Sequence, residues 1–421
     1  MYYPRTIESA ARRISETFPV MLLTGPRQVG KTTLLQKMAE GTNRKYVTLD
    51  NPTIRNIAKT EPELFLQRYA PPVIIDEVQY APELFDYIKI HVDTHKRSGD
   101  FWLTGSQALH MMNRVNESLA GRVGVIRLMG LSNSEITGNC FPEFIVSPQE
   151  FMKRIESATP MNLNEIYERI FKGSMPRLYE NPDVNREQYY ESYLSTYIER
   201  DIHDLSQVAD ELSFFRFIGI IAARTASNVN YATLAEEAGI SAPTAKQWLS
   251  VLVSCGLVIL IDPYFNNALK RVIKSPRMYF ADTGLCAYLA RWPSAEVLEA
   301  GAMSGEFFET WVVTEVYKSY INAGKRPPLF FYRDSNKKEI DLLIRQGSTI
   351  YPVEIKKSAS PANATRNFSV LKPITREPEE ADRFAGVAHR KTDIGTGAVL
   401  CLTPDLLPVD RRNWLVPVWL I

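Results

Sequence analysis

The stretch PVMLLTGPRQVGKTTLLQKMAE, Pro19 to Glu40, decides how the chain is read. It opens on an apolar run, Val20 to Leu23, of the kind that forms a buried strand. It then enters Gly25-x-x-x-x-Gly30-Lys31-Thr32 and continues as a helical pattern from Thr33 to Glu40. Strand, glycine-bounded loop and helix in that order form the context of a phosphate-binding loop. Gly25 and Gly30 allow the backbone to curl around phosphates at a helix N-terminus, with N–H groups pointing inward. The candidate binding segment is Gly25, Pro26, Arg27, Gln28, Val29, Gly30, Lys31, Thr32 and Thr33. Within it Lys31 would reach the β- and γ-phosphates, and the Thr32 hydroxyl would ligate Mg²⁺.

A second apolar run, Val73 to Ile75, delivers Asp76 and Glu77 at its C-terminal end, where α/β sheets build ligand sites. Asp76 suits the Mg²⁺ role, and Glu77 can polarise a water for attack on the γ-phosphate. A third run, FWLTGSQ (Phe101 to Gln107), ends in Thr104, Ser106 and Gln107, polar groups able to sense the γ-phosphate. Arg122, in SLAGRVGVIRL (Ser118 to Leu128), is either a charge-stabilising arginine, in cis or toward a neighbouring subunit, or a surface arginine after a helix. The expected catalytic set is Lys31, Glu77, Gln107 and Arg122.

The segments GPRQVGKTTL, YVTLDNP, VIIDEVQYAPELFDYIK, LTGSQ and SLAGR, in this order and spacing, resemble the prokaryotic AAA-superfamily ATPases. The match is to the subgroup whose C-terminal half carries a domain of unknown function with a nuclease-like core, and it covers nearly the whole chain. The resemblance implies ATP as the nucleotide and assigns its binding to Gly25, Gly30, Lys31, Thr32, Asp76 and Glu77.

From about Leu131 to Leu212 the pattern is helical and charged. YERIFKGSMPRLYE and YYESYLSTYIERDIHDL carry tyrosines and isoleucines at helical spacing, expected to pack a core rather than stack on bases. Glu199, Arg200 and Asp201 form either an inter-domain ion-pair network or a solvated face. NYATLAEEAGISAPTAKQWLSVLVSCGLVILIDPY (Asn230 to Tyr264) has the layout of a helix-turn-helix with a following wing. Its second helix offers only Lys246 and Gln247 toward DNA. The basic residues Lys270, Arg271, Lys274 and Arg277 fall in the wing, so protein contact is the first expectation and DNA contact the second.

From about Gly301 a new unit begins. SGEFFETWVVTEVYKSY is expected as an amphipathic helix, followed by strands LFFYRD, EIDLLI and YPVEIKK, with AVLCLT and VPVWLI as final strands. Helix and three strands bearing Asp and then Glu-x-Lys is the order of the PD-(D/E)xK nuclease core. Alternation along a strand puts Glu354 and Lys356 on one face and Val353 and Ile355 on the other. Asp341 on the neighbouring strand can then meet Glu354. The two carboxylates would hold Mg²⁺ while Lys356 orients the attacking water. Glu309 matches the family's additional acidic position, with Glu306 and Glu315 less well placed. The segment Lys325 to Lys357 holds eight basic and four acidic residues, which suits a phosphate backbone.

Composition agrees with a folded protein of several domains: 421 residues, 45% hydrophobic and 23% charged. A net charge of +1 leaves any nucleic-acid contact to local patches. Four dispersed cysteines argue against a zinc site or disulfide framework. With no secretory h-region and no apolar run long enough to span a bilayer, the expectation is a cytoplasmic protein without membrane contact. The expected architecture is α/β throughout: an AAA-like P-loop domain (1–135), a helical connector (136–212), a winged-helix-like domain (213–298) and a restriction-endonuclease-like C-terminal domain (299–421). The expected function is an ATP- and Mg²⁺-dependent ATPase handling DNA or RNA, either alone or as a homo-oligomer. The alternative is a nucleotide-gated switch or scaffold that binds a protein partner.

Overall fold

The computed structural model describes residues 2–105, 115, 117–198, 211–264, 275–334, 336, 338–373 and 392–421. Ser106, Gln107, the Glu199–Asp201 triplet, Lys270, Arg271 and Lys274 lie outside them.

The N-terminal sheet contains β1 (Val20–Thr24), β2 (Lys45–Thr48), β3 (Val73–Asp76), β4 (Phe101–Thr104) and β5 (Val123–Arg127). All pairs are parallel, in the order β2-β3-β4-β1-β5. The continuous apolar runs follow from burial on both faces. Val20 and Leu22 enter one hydrophobic cluster with Val73, Ile75, Phe101 and Leu103, whereas Met21 and Leu23 enter the other. β4 stands between β1 and β3, so the loop after β1 and the acidic end of β3 are brought together across an intervening strand.

The second cluster does not stop at this domain. It runs from Met21 and Leu34 through Phe151, Tyr190 and Trp248 to Trp311 and Val353. Tyr189, Tyr190 and Tyr193 are buried in it, as their helical spacing predicts. In the middle region, Asn230 caps the helix Tyr231–Ala238, which ends on Gly239 at φ +71°, a left-handed conformation that glycine adopts without steric cost. Ser241 then caps the helix Ala242–Ser254. These helices follow the helix Glu211–Ala223 and β6 (Ser227–Asn228), and lead into β7 (Val258–Pro263) and β8 (Arg277–Phe280).

β7 also pairs in parallel with β9 (Leu329–Arg333), so the segments 213–298 and 299–421 share one sheet. That sheet continues through β10 (Glu339–Gln346), β11 (Thr349–Lys356), β13 (Gly397–Cys401), β15 (Asn413–Pro417) and β14 (Leu407–Pro408), with β12 (Asp393–Ile394) beside β11. Two expectations are corrected here. The helix Ser304–Asn322 is buried around most of its circumference rather than amphipathic, because it is enclosed by the sheet and the preceding helices. The final strand begins at Asn413 and stops at Pro417; Val418–Leu420 form a buried 3₁₀ turn instead. Among the described residues, no helix is long and apolar enough to cross a membrane.

Candidate nucleotide site and a second polar cluster

The loop after β1 has the backbone that its glycines foretell. Gly25 lies at φ +141°, and a Cβ there would stand 2.0 Å from the carbonyl oxygen of Leu128. Gly30, at φ +91°, precedes the helix Lys31–Ala39, leaving its first N–H groups directed at the loop. The Lys31 side chain is buried and donates to the carbonyls of Gly25 (3.0 Å) and Pro26 (2.7 Å).

Asp76 is buried beside this loop and accepts three hydroxyls. Thr32 donates at 3.0–3.1 Å, Tyr46 at 3.0 Å and Thr104 at 2.5 Å. Burial, and next the Asp76 charge, push the Tyr46 hydroxyl well above the ordinary tyrosine range, so it remains a donor. Glu77 adopts φ +55°, sparsely populated for a residue with a side chain, and accepts from the Gln79 amide. A hydroxyl and a carboxylate at the mouth of a phosphate-type loop are the hard oxygen donors that Mg²⁺ takes.

Arg27, Gln28, Gly30, Lys31, Thr32, Thr33 and Glu77 line a cleft of about 790 Å³. Its far wall is Pro176, Arg177, Glu180, Asn181 and Thr196, residues of the middle region that sequence reasoning did not connect to the site. Tyr46 was missed as well; an exposed strand tyrosine gives no sign in sequence that it faces Asp76.

Arg122 is not in the cleft. It precedes β5, at the N-terminal edge of a parallel sheet whose C-terminal edge carries the loop. Its guanidinium forms two bonds to Asp93, at 2.6 and 3.0 Å. Those bonds raise the Arg122 pKa and lower that of Asp93. A role for Arg122 at its own chain's nucleotide is therefore corrected.

Behind the loop lies a buried brace. Arg5 donates to Val29 O at 2.9 Å and to Met129 O at 2.7 Å, and pairs with Glu135 at 3.2 Å. Glu135 completes the capping box of Asn133–Thr137 and also accepts from Asn322, at 3.4 Å, on the long helix. Two turns earlier on that helix Glu315 accepts from Asn133 N, and Lys318 pairs with Glu315 at 2.8 Å. Glu315 is thus an inter-domain tie rather than a member of the C-terminal cluster.

That cluster forms where β10 and β11 pair. The register sets Leu342 opposite Val353, so Asp341 and Glu354 are cross-strand neighbours. Asp341 accepts from Ile355 N at 2.9 Å. Lys356 lies 2.8 Å from Glu354 and 3.6 Å from Asp341. Burial alone would lower the Lys356 pKa, but the two carboxylates outweigh it and raise it. Glu309 stands on the long helix, bonded to Arg277 at 3.0 Å and Tyr279 at 2.8 Å. Burial first and the Asp341 charge second push Glu354 and Glu309 each up to about 7. Among the described residues, no three His, Cys, Asp or Glu side chains are gathered as a metal-ligand group. Arg277 was read as a wing residue; nothing in its sequence context signals its place in this cluster.

Comparison with known proteins finds matches to three segments of the chain. Residues 17–137 match the model of an AAA domain. Residues 163–296 and 304–421 match two domains of unknown function, DUF8612 and DUF4143. The uncharacterized protein Rv2008c of Mycobacterium tuberculosis is 26% identical over 369 residues, covering 87% of this chain and 77% of that protein. Its Mycobacterium bovis counterpart Mb2031c gives the same figures. Among solved structures, the Walker-type ATPase PABY2304 of Pyrococcus abyssi aligns with TM-score 0.41 at 16% identity, over 68% of this chain and 96% of that one. The Thermotoga maritima RuvB Holliday junction branch migration motor aligns with TM-score 0.29 at 18% identity, over 60% and 85%. The family match, with the loop and acidic residues just described, supports ATP binding. Residues 17–137, which carry the loop and its acidic partners, are thus similar to an AAA domain, and the same chain continues through segments similar to two domains of unknown function.

Proposed function

We propose that this protein is a Mg²⁺-dependent ATPase that couples ATP hydrolysis to the handling of nucleic acid by its C-terminal half. The observation that carries the ATPase reading is Thr32 within 3.1 Å of Asp76, beside a loop whose lysine faces inward. Thr32 and Asp76 would hold Mg²⁺, which would supply charge neutralisation for the triphosphate. Lys31 exchanges its two carbonyl partners for phosphate oxygens, and the N–H groups at the start of Lys31–Ala39 orient them. Glu77, positioned by Gln79, polarises the attacking water. Thr104 reports on the site through Asp76, in place of a direct phosphate contact.

The nucleic-acid part rests on two features. Helix, strand, two helices and two strands from Glu211 to Phe280 follow a winged-helix order. The cross-strand Asp341 and Glu354 with Lys356, beside a helix bearing Glu309, follow a nuclease-like order. A second reading, a nucleotide-gated switch that binds a protein partner, is favoured by one observation: the cluster's carboxylates are already paired with Lys356 and Arg277. Steady-state Mg²⁺-ATP turnover measured across a panel of DNA and RNA structures separates the two. Stimulation by nucleic acid supports the first. Neither binding nor stimulation at moderate salt removes it and leaves the switch.

A further inference from the structure

The C-terminal cluster contains two cations of the chain's own, and they differ in origin. Lys356 belongs to the hairpin, and its side chain is 42% exposed. Arg277 arrives on β8 from the middle region, and its side chain is 7% exposed. It lies 3.0 Å from Glu309 Oε1 and also pairs with Glu339 at the start of β10. Tyr279, two residues further and on the same face of β8, donates to the same Glu309 oxygen at 2.8 Å. One strand thus applies a guanidinium and a hydroxyl to one carboxylate.

A divalent cation at this cluster would need anionic oxygens, and each like charge held within a few Å opposes it. One acceptor is already available: Glu354 Oε2 is buried without a hydrogen-bond partner, in a residue 6% exposed. The remaining carboxylate charge is engaged by Lys356 and Arg277. We propose that Arg277 is an autoinhibitory latch, which occupies Glu309 with a fixed positive charge and holds down the divalent-cation affinity of the C-terminal cluster. Because Arg277 is carried on β8, it is the middle region that supplies this charge to the site. The proposal rests on reading Asp341 and Glu354 as cation ligands.

Mn²⁺ binding to the full-length, nucleotide-free protein, followed by the loss of the free-ion paramagnetic resonance signal, tests this. The proteins compared are wild type, Arg277→Met and Arg277→Gln, each with and without Glu354→Gln, with folding checked by circular dichroism. The expected result is binding tighter by about tenfold or more in both neutral variants. The gain should vanish with Glu354→Gln. Arg277→Gln retains a donor for Glu309 and carries the test if the methionine variant does not fold. Equal or weaker Mn²⁺ binding in the neutral variants, at a site still sensitive to Glu354→Gln, overturns the latch and leaves the cation-site reading. No Glu354-sensitive binding in any protein overturns both.

Discussion

The Thr32 hydroxyl lies 3.0 Å from Asp76 Oδ2, although the strands leading to these residues, β1 and β3, are separated by β4. Thr104, at the end of that intervening strand, donates to the other oxygen of the same carboxylate. The start of the helix after β1 and the end of β4 therefore meet on the one buried carboxylate that ends β3, and its surroundings organise the nucleotide site.

Lys31→Ala should weaken ATP binding by about ten- to hundredfold, the loss of a charge-assisted hydrogen bond worth about 1.5–3 kcal/mol. Stability should change little, because the ammonium bonds to loop carbonyls at the cleft. Calorimetric titration with ATP, beside a melting curve, checks both statements.

Arg5→Met should be costly in a different way. Glu135 is fully buried, and removing its cation leaves a charge uncompensated and the Val29 carbonyl without its donor. The expected destabilisation is about 3–5 kcal/mol in denaturant unfolding. Arg5→Met with Glu135→Leu should recover part of that loss.

Arg122→Ala should leave ATP turnover at low protein concentration within about twofold of wild type, the scale of a surface change remote from the chemistry. Its guanidinium is engaged by Asp93 at the opposite edge of the sheet. A drop in turnover that appears only as protein concentration rises would instead point to action on a neighbouring subunit.

Glu354→Gln should change stability in a pH-dependent manner. Glu354 is pushed from an ordinary 4.5 up to about 7, so the native state holds its proton more tightly than the unfolded chain does. The stability it contributes is full below about pH 4 and is lost as pH rises to about 7. Glutamine removes that dependence. The variant should thus be more stable than wild type by about 1–3 kcal/mol at pH 8 and nearly equal at pH 4.5. Melting curves across that range provide the check.

The nucleotide loop was legible in sequence because its chemistry is local: Gly25, Gly30, Lys31 and Thr32 lie within eight positions, and each has a reason that depends on the backbone alone. Asp76 and Glu77 were legible because a buried parallel strand must release them at its C-terminal end. The hairpin was legible for the same kind of reason, since strand alternation fixes which side chains share a face. Tyr46, Arg177 and Arg277 were not. Each reaches its site through packing between segments tens to more than a hundred residues apart, and such packing leaves no periodicity at the residue itself. The long helix shows the same limit in reverse. Its residues read as an amphipathic helix, but Glu315 and Lys318 pair with each other inside the protein.

The central claim is hydrolysis of ATP at the Thr32–Asp76–Glu77 site, and Glu77→Gln tests it most directly. Mg²⁺-ATP turnover should fall by about 10²–10⁴-fold, the range of a lost general base. ATP affinity, measured on the same preparation, should be retained. A Glu77→Gln protein that binds ATP and turns it over at the wild-type rate would contradict the account.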